Sequence, residues 1–161
     1  MHWPPNADGV AWFTSEVFPL VRKKLPDVRF VVVGKQPPKA LNYLGNNVIT
    51  TGYVENTDSY WNGTRIFVVP LHAGGGMRVK ILEAWARGVP VISTTIGGEG
   101  ISYSAGEDIL IADTPEEFAN AVLQISTDTD LAQRLGRGGR KTFENYYEWK
   151  RVYPAWDQVY S

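Results

Sequence analysis

Ile66-Phe67-Val68-Val69-Pro70 is an apolar, β-branched run. It is followed by Gly74-Gly75-Gly76-Met77-Arg78-Val79-Lys80-Ile81-Leu82-Glu83-Ala84-Trp85-Ala86-Arg87-Gly88, and then by Val89-Pro90-Val91-Ile92-Ser93-Thr94. Strand, glycine loop, helix and strand in that order predict a parallel β-α-β unit. Three glycines let the backbone turn with its N–H groups exposed, and the cations Arg78 and Lys80 follow where the positive end of the helix dipole faces the loop. Such a corner holds an anion. One turn further in, the Glu83 carboxylate would repel a phosphate but would accept hydrogen bonds from a pair of neighbouring hydroxyls. Phosphate beside diol suggests a nucleotide.

The same alternation continues on both sides. Upstream, Val10, Phe13, Val17, Leu20 and Val21 recur at helical spacing after Pro4-Pro5, with Asn6 or Asp8 expected as N-cap and a kink or break expected near Phe18 because of Pro19. Val28 to Val33 reads as a strand buried on both faces, and Val48 to Thr51, Ile66 to Val69, Val91 to Thr94 and Ile109 to Ala112 complete five strands. Short helical segments are expected around Pro38 to Leu44 and Asp58 to Asn62. From Pro115 the chain turns helical: one amphipathic helix towards Ile125, a second capped by Thr129 or Asp130, and an aromatic-rich third from Trp149 to Tyr160. Gly136, Gly138 and Gly139 weaken the middle of the second, at about 1 kcal/mol each against alanine.

Strands alternating with helices imply an α/β fold over residues 1–161, a Rossmann-like parallel sheet with helices on both faces and closing helices at the C-terminus. Ligands bind such sheets beyond the carboxyl ends of the strands. Here those ends carry Gly34-Lys35, Gly52-Tyr53-Val54, His72 to Gly76, Thr95 to Gly98, and Asp113.

Composition closes off other classes. The 161 residues hold 16 basic and 17 acidic side chains, no cysteine and two histidines. This balance offers no broad surface for nucleic acid, and the chain lacks the thiolates and histidines of a metal cluster. No apolar run is long enough to span a membrane, and a cytoplasmic setting is expected. Gly74 to Lys80 is not a P-loop, because Ile81 stands where a Ser or Thr would ligate magnesium, and Gly136-Arg137-Gly138-Gly139 follows no strand. The glycines could instead serve only a tight turn, and Lys80, Glu83 and Arg87 could form a solvated stripe along one helix face. Their position directly beyond a strand's carboxyl end favours a site.

The glycine loop, its helix and Gly88-Val89-Pro90-Val91-Ile92-Ser93-Thr94 resemble the donor-binding, C-terminal half of family 4 (group 1) glycosyltransferases of the GT-B fold. The likeness extends to Trp3-Pro4-Pro5-Asn6-Ala7-Asp8, Phe30 to Gly34 and Gly106-Glu107-Asp108-Ile109-Leu110. The most similar subgroup, with a triple glycine before Arg-x-Lys-x-x-Glu, is associated with polysaccharide assembly. The resemblance implies that Glu83 accepts from the ribose hydroxyls and that backbone N–H groups around Gly74, Gly75, Gly76 and Met77 meet the diphosphate and sugar. It makes Arg78 and Lys80 the counter-charges that stabilise the departing diphosphate, and it places Gly34, Lys35, Tyr53 and Val54 along the base. The family's first carboxylate, eight positions before Glu83, falls on Gly75.

The implied reaction is transfer of a sugar from a nucleotide diphosphate sugar with retention, without metal or cofactor. The acceptor site and general base would lie in an N-terminal half supplied in cis or in trans, so the isolated chain is expected to be inactive in transfer. In the family a strand precedes the position of Met1 at the sheet's centre; without it, the runs 28–33 and 65–70 are expected either to pair directly or to be bridged by a strand from another chain. Homo-oligomers, and attachment of a full enzyme to the inner membrane face, are compatible with this reading. The alternatives are a non-catalytic nucleotide-binding or assembly module and, with less support, a nucleotide-sugar epimerase.

Overall fold

The structure is a computed structural model; it describes residues 3–35, 37, 41 and 45–148. The helix expected around Pro38 to Leu44 falls mostly outside these residues, and the aromatic helix from Trp149 to Tyr160 lies wholly outside them. In chain order the elements are α1 (Pro4–Trp12), a π-helical segment (Phe13–Val17), α2 (Phe18–Lys24), β1 (Phe30–Val32), β2 (Val48–Thr50), α3 (Asp58–Trp61) and β3 (Phe67–Val69). Then follow α4 (Val79–Ala86), β4 (Val91–Ser93), a 3₁₀ turn (Ile96–Gly98), β5 (Leu110–Ile111), α5 (Pro115–Thr127) and α6 (Thr129–Tyr146).

All five described strands are parallel, but they form two ladders, β1 with β2 and β3-β4-β5. Direct pairing of the runs 28–33 and 65–70 is therefore not found. Phe30 N–H donates to Asn47 and Thr51 N–H to Val32, so residues 30 and 32 bond towards β2 and Val31 turns its backbone groups the other way. By the same alternation Phe67 and Val69 bond towards β4, and Val68 faces away. The two ladders are joined by side chains instead. Phe13, Val17, Phe18 and Val21, from the helical run before β1, lie in one core with Phe30 and Val48 of the first ladder and with Ile66, Val68 and Ile92 of the second.

The three-stranded ladder has helices on both faces. Val68, Ile92 and Leu110 look towards α5 and the first helices, while Phe67, Val69, Val91 and Ile111 look towards α4 and the buried Trp85. The expectation that Val28 to Val33 is buried on both faces is corrected. Val31 is 41% exposed and its register partner Ile49 37%, so one face of β1–β2 is open among the described residues.

Local chemistry explains the other departures. The first helix begins at Pro4 rather than at Asn6 or Asp8, and Trp3 caps it with no side-chain bond. Pro4 and Pro5 lack the N–H groups that a capping side chain would satisfy. The break expected near Phe18 takes the form of the π segment: Phe18 N–H reaches back to Phe13, and Pro19, which has no N–H to donate, stands in the first turn of α2 directly after it. The cap of α6 is Asp128, which accepts from Leu131 N–H, not Thr129 or Asp130. Its glycines do not interrupt it. A Cβ on Gly136 would meet the carbonyl of Gly88, one on Gly138 the carbonyl of Glu107, and one on Gly139 the Trp85 ring, so their absence lets α6 lie directly on α4 and its neighbours.

Candidate functional site

β3 ends at Val69, and the segment from Leu71 to Met77 turns the chain into α4. Gly74 and Gly76 have φ of +116° and +83°, the left-handed region that side chains disfavour. Gly74 is required twice over, because the Trp3 ring lies where its Cβ would stand. Gly75, Gly76 and Met77 are exposed, and their N–H groups find no acceptor among the described residues. α4 keeps its apolar face in the core through Ile81, Leu82, Ala84 and Trp85. It closes with Gly88 at φ +67°: Gly88 N–H donates to Trp85 and Val89 N–H to Ala84, a paired termination that also turns the chain into β4.

The cations of the loop differ in placement. Arg78 is 5% exposed; Nη1 donates to the Gly75 carbonyl at 2.8 Å and Nη2 to the Ile96 carbonyl at 3.3 Å, and Nε has no partner among the described residues. Its guanidinium lies within the protein and does not reach out from the loop. Lys80 is half-buried, and Nζ donates to Asn6 Oδ1 at 2.9 Å. Burial, reinforced by the Arg78 charge and opposed by Glu83, holds its ammonium below the usual lysine range. Glu83 is exposed, and its carboxylate has no protein partner among the described residues.

A second group gathers at the ends of β1 and β2. Gly34 N–H donates to the Gly52 carbonyl at 3.2 Å, and Lys35 Nζ stands 4.3 Å from the centroid of the Tyr53 ring, which is 64% exposed. Val54 follows, half-buried. Thus Lys35 and Tyr53 meet each other, as do Arg78 and Gly75, while Glu83 stands alone.

The next turn of the edge is built on Asp113 and Thr94. Thr95 donates through N–H (2.7 Å) and Oγ1 (2.6 Å) to the Asp113 carboxylate, which holds that carboxyl below its ordinary range. Gly97 N–H donates to Thr94 Oγ1 at 2.9 Å. Gly100, φ +81°, lies against the glycine loop: a Cβ there would stand 2.8 Å from the Gly76 carbonyl oxygen and 3.1 Å from the Met77 Cα. Trp3, Asn6 and Gly100 were not among the residues expected to build the site. Only the family-like segment Trp3 to Asp8 signalled the first two.

Among the described residues no three of His, Asp and Glu gather as a metal site, and no helix is long and apolar enough to cross a membrane.

A glycine loop with exposed amides at the carboxyl edge of a parallel sheet, and a carboxylate without a protein partner among the described residues one turn into the following helix, mark this as an α/β domain of the parallel, helix-covered class. The family model described as "Glycosyl transferases group 1" matches residues 1–128, and the chain belongs to that family. Its fold is that of a C-terminal GT-B domain. The C-terminal domain of a glycosyl transferase group 1 family protein from Francisella tularensis superposes with a TM-score of 0.74 at 21% identity, covering 89% of this chain and 82% of that one. The Anabaena protein HepE, solved in complex with UDP and glucose, gives 0.74 at 16% identity over 90% of this chain and 44% of that one.

Among curated proteins, an uncharacterized 44.6 kDa protein in the cps region of Klebsiella pneumoniae is 29% identical over 162 residues, 94% of this chain and 42% of that protein. The capsular polysaccharide biosynthesis glycosyltransferase CapM of Staphylococcus aureus is 29% identical over 117 residues, 71% of this chain and 30% of that one. The chain thus spans less than half the length of these relatives.

Proposed function

We propose that this chain is the nucleotide-sugar donor-binding domain of a retaining glycosyltransferase in polysaccharide or glycoconjugate synthesis. The observation that carries the reading is the row of N–H groups at Gly75, Gly76 and Met77, set one helical turn before the Glu83 carboxylate, all without a partner among the described residues. The diphosphate lies on those amides and takes its counter-charge from Lys80, with Arg78 adding positive potential from beneath; Glu83 accepts from the ribose hydroxyls. Gly34, Lys35, Tyr53 and Val54 line the base. The complexes of HepE with UDP support a donor of this chemical class.

Catalysis in this arrangement is electrostatic: fixed amide dipoles and a lysine charge meet the negative charge that builds on the departing diphosphate. Gly75 stands where the family's first carboxylate would be, so the donor sugar loses that contact. The acceptor and the general base belong to an N-terminal half, in cis or in trans. The exposed apolar side chains of Trp3, Met77 and Val79 beside the loop suit the face that such a half would meet.

Calorimetric titration of the chain with UDP and GDP, each with and without an attached sugar, tests the reading and identifies the base. Saturable binding of one nucleotide diphosphate, tighter than its nucleoside, is expected. Failure of every diphosphate to bind overturns it.

A further inference from the structure

Two loops that are 18 or more residues apart in sequence meet at two points. At one, the buried Arg78 guanidinium bridges the carbonyls of Gly75 and Ile96. At the other, Gly100 lies so close to Gly76 and Met77 that a methyl group would have to displace backbone. The second loop is held from behind as well. Thr95 is tied to Asp113 at the end of β5, and the Asp113 N–H is in turn bonded to Glu117 in the first turn of α5. A guanidinium can serve two separated carbonyls because it is planar with several fixed donors; an ammonium on a shorter reach of donors does not reproduce this fork.

From these contacts we infer that Arg78 is a positioning residue: it clamps the glycine loop to the Ile96–Gly100 turn, fixing the direction of the Gly75, Gly76 and Met77 amides and coupling an anion bound there to the second loop. The inference rests on the donor-site reading for its ligand, but the clamp itself is a property of the free protein. A counter-charge would be judged by its sign alone. A clamp depends on shape, and lysine does not substitute for it.

The test uses the whole chain with Arg78→Lys, Arg78→Met and Gly100→Ala, and reads three quantities: UDP affinity, uridine affinity, and amide hydrogen exchange at Gly97 to Gly100. Expected are faster exchange at Gly97 to Gly100 in all three variants without ligand, and at least tenfold weaker UDP binding in Arg78→Lys as in Arg78→Met, with uridine affinity unchanged. UDP slows exchange at Gly97 to Gly100 in the wild type and not in Arg78→Met. The Arg78→Met/Gly100→Ala double variant is no weaker than the worse single variant, since either change already frees the same two loops from each other.

Wild-type UDP affinity in Arg78→Lys, or unchanged exchange at Gly97 to Gly100 in Arg78→Met, overturns the clamp. An equal loss of uridine and UDP affinity overturns it too, because it would mean general unfolding of the site. A wild type that binds GDP in place of UDP is read with GDP and guanosine in the same way; if it binds neither, the donor-site reading fails by itself, and exchange in the free variants still decides the clamp.

Discussion

Lys80, in the first turn of α4, donates to Oδ1 of Asn6, in the first turn of α1, across 2.9 Å. The bond brings the start of the chain's first helix to the mouth of the glycine loop, and it costs Lys80 part of its solvent shell.

That cost sets a pH dependence. Burial lowers the Lys80 pKa, so as pH rises the ammonium is lost before those of ordinary lysines, whose reference value is 10.5. If Lys80 is the diphosphate counter-charge, UDP affinity falls as pH rises through that lowered value, and Lys80→Met removes this component of the profile. Titrations of the wild type and the variant from neutral to alkaline pH check it; parallel profiles would refute the role.

Glu83 offers a different signature. Glu83→Gln replaces a charge-assisted acceptor with a neutral one, a difference of about 1 kcal/mol, or several-fold in affinity. A ribonucleoside diphosphate should weaken by that amount, while its 2′,3′-dideoxy analogue should bind nearly as before. Equal losses would make Glu83 structural.

The glycines of α6 give a stability prediction in which two effects compete. Alanine in a helix is favoured over glycine by about 1 kcal/mol. At Gly138 the new methyl group runs into the Glu107 carbonyl, a backbone group that cannot rotate away. Overlap of this kind costs about 1–3 kcal/mol or more, so Gly138→Ala should lower the denaturation midpoint. Gly63→Ala, where a Cβ meets nothing, should stay within about 0.5 kcal/mol of the wild type. Urea melts of both variants compare the two.

The separated ladders predict a pattern of amide exchange. Val32 and Val69 donate within their ladders, whereas Val31 and Val68 turn their N–H groups away from them. Val31 and Val68 should exchange faster than Val32 and Val69 in the free chain. Equal protection would show that the inner edges are paired in solution.

Sugar transfer requires the acceptor hydroxyl and the anomeric carbon to be held together, an orientation that contributes roughly 7–11 kcal/mol to lowering a barrier. If the chain orients only the donor, the purified protein should bind a nucleotide sugar without transferring it to any acceptor. Robust transfer by these 161 residues would overturn the division of labour proposed above.

The five strands and the loop were legible because their signals are local: β-branched runs, glycines at the turns, and cations at fixed spacing behind them. What escaped was decided by distant neighbours. Nothing near Arg78 in sequence announces that the Ile96 carbonyl will take half of its guanidinium, and Gly136 to Gly139 look like helix breakers until the Gly88 and Glu107 carbonyls are placed opposite them. The openness of Val31 escaped for the same reason, since a run of valines reads alike whether one face or both are covered.

Lys35 and Tyr53 ride on one ladder, and the glycine loop and Glu83 ride on the other. Between them, among the described contacts, run the rings and methyl groups of Phe13, Val17 and Phe18 rather than a hydrogen-bonded seam. Contacts of that kind resist separation but have little preference for direction, so small sliding movements cost far less than breaking a ladder. A nucleotide long enough to touch both halves would work as a cross-brace. Its arrival would then register less as a change of shape than as a gain in stiffness across the seam.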